Sequence, residues 1–252
     1  MIYNIMKLRY KIYGIFLLFI FTLIGCSQEH GKNKIGNTTP SFWIGDTNQV
    51  SGIDISHHQG NIDWKEVKKS GISFVFVKAT EGKDYLDSMF TTYWSQLEDE
   101  NMIRGAYHFY SSDDDPVEQA KWFVGSVQKF NNALPPVVDI ERKGHKNISP
   151  DTFEKGVLKC LEEVERLSGK KPIIYSSPHF ADKYLFDERF KNYFLWVADY
   201  DVEHPEVPNC WKTSGWHFWQ NTNLDSMQGI KTDVDHSLFS KKIDSLINLA
   251  KD

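Results

Sequence analysis

The chain has 252 residues, with 29 basic and 34 acidic side chains and a net charge of −5. Without Lys7, Arg9 and Lys11, which precede an apolar run, 26 basic residues face 34 acidic ones, and the resulting −8 argues against nucleic acid as a partner. Cys160 and Cys210 have a spacing that matches no metal or redox motif, and sequence alone leaves open whether they pair.

Residues 12–24 (IYGIFLLFIFTLI) are almost entirely apolar. A basic start followed by about a dozen apolar residues has the form of a secretory signal and is short for a membrane span. The run ends in Leu23-Ile24-Gly25-Cys26, which resembles the lipobox of bacterial lipoproteins, with Cys26 as the lipid-bearing residue. The expected organisation is a lipoprotein signal peptide over 1–25, a flexible tether over 26–49, and one folded domain over 50–252. The tether segment is polar, contains Gly and Asn, and shows no periodicity. This places the protein in the cell envelope, anchored to a membrane and facing the periplasm or the exterior.

Beyond residue 50, short apolar runs alternate with helical patterns. The runs predict eight strands, at 50–55, 72–78, 103–110, 136–141, 172–176, 193–198, 215–220 and 232–236. Helices are expected over 62–70, ending at Gly71, and over 88–101. Asp115-Pro116-Val117-Glu118 combines an N-cap acid, a first-turn proline and a glutamate three residues after the cap, and Ser149-Pro150 opens a long helix that closes at Gly169. After residue 176 the helices shorten, and a stripe of Leu238, Ile243, Leu246 and Ile247 suggests a last helix over 237–250. Alternating strands and helices imply parallel pairing and right-handed crossovers, and eight strands imply closure. The expected fold is α/β, an irregular (β/α)8-like barrel with well-formed helices mainly in its first half.

In such a barrel, chemistry gathers at the C-terminal ends of the strands. Asp54 ends the first run, Asp139 and Glu141 end the fourth, Asp235 lies at the end of the eighth, and Glu81 follows the second. Residues two apart on a strand point to one side, with Cα atoms ~6.6 Å apart, so Asp139 and Glu141 project together into the mouth. Crowded, partly shielded acids do not all ionise easily, so one is raised. A raised carboxylic acid beside an ionised carboxylate is the pair that breaks a glycosidic bond. One acid at a strand end is more often an N-cap or the partner of a nearby base such as Arg142 or Lys143. Convergence from three strands favours function. Tyr107, Phe109, Tyr175, Trp196, Trp219 and Gln220 lie at or near strand ends and are candidates, with Glu81, to line sugar subsites; each aromatic taken singly is more often core.

The segments GIDISHHQG (52–60), FVFVKATEG (74–82), GAYHFY (105–110), PPVVDIE (135–141), PIIYSS (172–177), LWVADY (195–200), WHFWQ (216–220) and VDHSLF (234–239) occur in this order. Together they resemble the family 25 glycoside hydrolases, lysozymes of Chalaropsis type. The resemblance implies an irregular β/α barrel and cleavage of the β-1,4 bond between N-acetylmuramic acid and N-acetylglucosamine in peptidoglycan; no cofactor and no metal is expected. By position, Glu141 matches the general acid and Asp139 its partner, which either stabilises the developing positive charge or orients the substrate's N-acetyl group. Asp54 and Asp235 match the first- and last-strand acids. The last-strand motif of the family usually reads Asp-x-Asn, whereas Asp235 is followed by His236-Ser237, and Asp233 competes with it. The expected partners are peptidoglycan glycan strands and, through the anchor, a membrane, with the protein a monomer.

Two other readings are weaker. Asp54 with His57-His58 has the look of a metal motif, but no second His/Asp pair of ligand-like spacing ends another strand. A barrel that grips peptidoglycan without cutting it would not need intact Asp139 and Glu141. The Asp-x-x-Asp-x-Asp-x-Glu run of chitin-cleaving barrels is absent. His108 reads as a hydrogen-bonded packing residue.

Overall fold

Strand-forming runs rich in Val, Ile and Phe alternate with capped helices, and the chain closes on itself accordingly. The structure, a computed structural model, describes residues 50–141 and 148–251. The expected signal, Cys26, the tether, Arg142 and Lys143 lie outside the described residues. The strands are β1 (Val50–Ile55), β2 (Phe74–Glu81), β3 (Tyr85–Leu86), β4 (Ile103–Phe109), β5 (Val137–Asp139), β6 (Ile173–Ser176), β7 (Phe194–Ala198), β8 (Phe218–Asp225) and β9 (Val234–Phe239). The helices are α1 (Trp64–Lys69), α2 (Phe90–Asp99), α3 (Pro116–Val127), α4 (Pro150–Ser168), α5 (Pro178–Tyr184) and α6 (Ile243–Lys251).

The local signals behave as their chemistry dictates. Asp115 accepts from the amides of Val117 and Glu118 at 2.9 and 3.0 Å, with Pro116 in the first turn of α3. Ser149 caps α4 through the Thr152 amide at 3.1 Å, and Gly169, at φ 73°, ends it in the left-handed conformation that glycine adopts without strain.

The strands form one closed barrel of eight, β1 pairing with both β2 and β9, while the short β3 adds to the edge of β2. Seven strands run parallel as expected, but β9 is antiparallel to both β8 and β1. The cause is length. Only residues 226–233 join β8 to β9, and a parallel crossover needs about a dozen residues or more, so the chain turns straight back. The expected last helix shortens for a related reason. Residues 234–239 pair on both sides, so Leu238 belongs to β9 and the helix starts only at Ile243.

Side chains alternate across the barrel wall and split the core in two. Phe74, Phe76, Val137, Ile173, Trp196 and Phe218 fill the interior. Val75, Val77, Val138, Ile174 and Val197 face outward against helix residues such as Phe123, Phe153 and Leu161. Phe76 stacks on Trp196 at 4.5 Å and meets Phe218 edge-on at 5.3 Å, so three bulky rings block the lumen below the mouth. Room for them comes from two glycines. Gly52 pairs with Phe74 and Gly105 with Phe76 in adjacent strands, and a Cβ at either would lie 2.3 or 2.4 Å from the facing ring. At the opposite end, Leu246 and Ala250 of α6 pack with Val50 and Phe239 and close the barrel floor. Both cysteines are free, Cys160 buried in α4 and Cys210 half-buried with its thiol on the Asp187 carbonyl at 3.4 Å.

Candidate active site

At the C-terminal ends of the parallel strands the lumen opens into a cavity of ≈370 Å³. Asp54, Asp139, Glu141 and Asp235 all line it, as do Tyr107, Phe109, Tyr175, Trp196 and Gln220. A shallower depression of ≈390 Å³ between Asn61–Asp63 and Gly229–Lys231 contains one acid, Asp63, whose carboxylate caps α1. Convergence of charge, and not volume, therefore marks the candidate site.

The acids arrive in two pairs. In the first, Asp54 on β1 and Asp235 on β9 are direct cross-strand partners. One amide nitrogen, Gln220 Nε2, lies 3.0 Å from both Asp54 oxygens and 3.4 Å from Asp235 Oδ2, so the two carboxyl groups meet at one point. Burial first, and then the Asp235 charge, hold Asp54 well above the usual carboxylate range, and burial also raises Asp235. Asp235, and not Asp233, is thus the acid that meets the first strand.

In the second pair, Asp139 ends β5, and the chain stays extended beyond it. The Ile140 amide donates to the Tyr175 carbonyl at 2.9 Å, and the Ile140 carbonyl accepts from the Ser176 hydroxyl at 2.8 Å. Ile140 packs outward into the core, so Asp139 and Glu141 both turn to the cavity. Asp139 is 8% exposed, whereas Glu141 is exposed at the open side. Of the four acids Asp54 and Asp139 are buried, Asp235 is half-buried between its two strand neighbours, and Glu141 alone is exposed.

The aromatic candidates divide by strand parity. Tyr175 and Trp196 form the floor, their rings edge-on at 4.9 Å, and Trp196 donates to the Ser237 hydroxyl at 3.1 Å. Trp219 does not reach the cavity. It sits on the outer face, donating to the Asp199 carbonyl at 2.7 Å and packing on Trp216, since it alternates with the inward Phe218 and Gln220. Glu81 is not among the residues that line the cavity; its carboxylate lies 2.8 Å from Nζ of Lys78, which does line it. Burial, followed by the negative charges of Asp54 and Asp139, pushes the Tyr107 hydroxyl well up; burial, followed by Asp139 and Tyr200, does the same to Tyr175.

Sequence reading overlooked Lys78 and Tyr200, which also line the cavity. Counting by two from the inward Phe76 and Ala198 finds both. Lys78 Nζ lies 5.1 Å from the Phe109 ring centre and 5.7 Å from that of Tyr85, a cation on an aromatic rim. His57 turns away from Asp54: its Nδ1 is 2.7 Å from the carboxylate of the buried Asp87. Among the described residues no group of three or more His, Cys, Asp or Glu has an arrangement that would hold a metal ion. His108 is buried between the Thr80 hydroxyl at 2.8 Å and the Gln119 carbonyl oxygen at 3.0 Å, a packing role.

A cleft with an exposed acid beside a buried one, and with aromatic walls and floor, is suited to protonating a leaving oxygen while negative charge faces a nascent cation. The sequence profile of glycosyl hydrolases family 25 matches residues 53–230. The chain is 35% identical over 202 residues to the protein YegX of Escherichia coli (strain K12), covering 78% of this chain and 72% of that one. It is 30% identical over 237 residues to Lysozyme M1 of Streptomyces globisporus, covering 90% and 80% of the two chains. The structure of the bacterial lysozyme from Streptomyces coelicolor is similar with a TM-score of 0.77 at 30% identity, covering 82% of this chain and 99% of the other.

Proposed function

The chain belongs to the family 25 glycosyl hydrolases, and from that membership we propose that it is a peptidoglycan hydrolase, a lysozyme that cuts the β-1,4 bond between N-acetylmuramic acid and N-acetylglucosamine. The observation that carries this reading is the convergence of carboxyl groups from β1, β5 and β9 on one aromatic-walled cavity in a chain of that family.

Glu141, at the open side where a glycan strand must lie, gives its proton to the leaving glycosidic oxygen. Asp139, buried one step behind, supplies the negative charge against which the sugar's positive charge develops, directly or through the N-acetyl group it orients. Asp54 and Asp235 set the field beneath them. Tyr107 and Phe109 wall the sugar subsite, and Tyr175 and Trp196 form its floor.

Digestion of purified peptidoglycan by the native protein, beside Glu141→Gln, tests both the reaction and its acid. The expected result is new N-acetylmuramic acid reducing ends from the native protein and a loss of at least about a hundredfold in the variant, as for removal of a general acid. Pelleting with peptidoglycan, without release by either protein, would identify a binding module in place of an enzyme.

Location follows from the N-terminus. Export and lipid attachment at Cys26 are supported by the basic start, the apolar run and Leu23-Ile24-Gly25-Cys26. Among the described residues no helix is long and apolar enough to cross a membrane. Cys26→Ser is expected to abolish incorporation of labelled fatty acid and to move the protein from the membrane to the soluble fraction; retention of both label and location overturns the anchor.

A further inference from the structure

We propose that Gln220 is a positioning residue that holds the Asp54 and Asp235 carboxyl groups together beneath the reacting sugar, and is not a contact of the sugar itself. The inference rests on the muramidase reading above and deepens it.

Gln220 lines the cavity, yet it is only 2% exposed. Its amide has one carbonyl acceptor and two N–H donors, and every one of them is engaged. The Oε1 atom accepts from the Tyr175 hydroxyl at 2.7 Å and from the Tyr200 hydroxyl. The Nε2 atom donates to both carboxylate oxygens of Asp54, each at 3.0 Å, and to Asp235 Oδ2 at 3.4 Å. Nothing is left over for a hydroxyl or acetamido group of a ligand.

The orientation of the amide is forced. Rotated by half a turn, it would aim its carbonyl lone pairs at two carboxyl groups. The two phenols therefore hold the carbonyl end while the acids hold the N–H end. Four side chains from β1, β6, β9 and the segment after β7 meet on one residue of β8.

The choice of a neutral donor matters. A lysine or arginine at this point would also bind the pair, but would cancel the negative charge that faces the nascent cation. Glutamine binds the acids and leaves their charge in place. The groups facing the pair are Tyr107 from β4, Asp139 and Glu141 from β5 and the loop after it, Tyr175 from β6, and Tyr200 after β7. The cavity's lysine, Lys78, is held at the rim by Glu81. The negative charge of the pair thus adds to that of Asp139 on the reacting face.

The test compares native protein with Gln220→Met, which keeps length and loses every hydrogen bond, and Gln220→Glu, which donates only when protonated. Reducing-end release is followed against pH and substrate concentration. Gln220→Met is expected to lose roughly ten- to a hundredfold in kcat with KM changed less than about twofold. Gln220→Glu is expected to show a deficit at neutral pH that shrinks on acidification. Carbon-13 titration of the Asp carboxyls, read without substrate, is expected to move upward for the Asp54–Asp235 pair in Gln220→Met, because a donor to the charged form is gone.

A rise in KM at unchanged kcat would make Gln220 a sugar contact and overturn the proposal, as would an unmoved carboxyl titration. Should both Gln220 variants fail to fold by near-UV circular dichroism, Tyr200→Phe, which removes one hydroxyl from Oε1, must give the same changes in smaller measure; an unaltered kcat and pH profile in that variant overturns it too. Native protein that releases no reducing ends counts against the muramidase reading, whereas active native protein with equally active variants sinks the positioning role alone.

Discussion

Asp54 is the residue whose charge state the fold controls most firmly. Burial and the neighbouring Asp235 favour its protonated form, so its folded pKa lies above the ordinary 3.8. An acid raised on folding contributes most to stability below its unfolded pKa, and that contribution is lost as pH rises toward the folded value. Asp54→Asn keeps the shape and removes the cost of ionisation. It is expected to leave the urea midpoint nearly unchanged at pH 3 and to raise it relative to native protein at pH 7. A difference that does not grow with pH would mean that Asp54 is not held protonated. The same substitution mimics the neutral acid, so it is expected to cost less activity than Asp139→Asn, measured as reducing-end release.

At the scale of elements, two contacts decide how the strands fit. His108 ties β4 to β2 through Thr80 and to α3 through Gln119, and burial, opposed by the Gln119 bond, lowers it from 6.5 to about 4. The unfolded chain takes up a proton near pH 6.5 while the native state stays neutral, so this contribution, ~3 kcal/mol, drains away as pH falls from 6.5 to 4. His108→Gln is accordingly expected to be less stable than native protein at pH 7, with a deficit that narrows on acidification; a constant deficit in urea titrations at pH 7, 5.5 and 4.5 would refute the account. The second contact is the glycine–phenylalanine fit of β4 on β2. Gly105→Ala puts a methyl group 2.4 Å from the Phe76 ring, which is already fixed between Trp196 and Phe218. The expected loss is about 1–3 kcal/mol or more in denaturant unfolding, well beyond the effect of Ala in an open strand.

For the whole molecule, closure is the organising fact. β1 pairs with β9 across nearly the full described length, so the first-strand acid meets Asp235 only when the last strand is in place. The barrel should therefore unfold as one unit, tryptophan fluorescence and far-UV circular dichroism giving superimposable urea transitions. Truncation before Val234 strips β1 and β8 of a neighbour and removes Asp235. Such a chain is expected to lose cooperative unfolding as well as activity. A sharp, native-like transition in it would show that closure is dispensable.

Much of this was legible in one dimension because the signals are local. Short apolar runs place a strand wherever one exists above two residues in length among the described residues, and Asp115-Pro116 and Ser149-Pro150 mark helix starts through backbone amides that need acceptors nearby. The Asp139-x-Glu141 pair is likewise local, since two residues on one extended segment share a side whatever surrounds them. The antiparallel return of β9 and the shift of Leu238 from helix to strand were not legible, because pairing on two sides overrides a helical stripe. Nor could sequence say that Trp219 faces outward while Gln220 turns in, for the register of β8 is set by its neighbours. Asp54 and Asp235 are separated by most of the domain; only strand pairing brings them side by side, burial raises both, and Gln220 finds both because the closed barrel leaves it nowhere else to point.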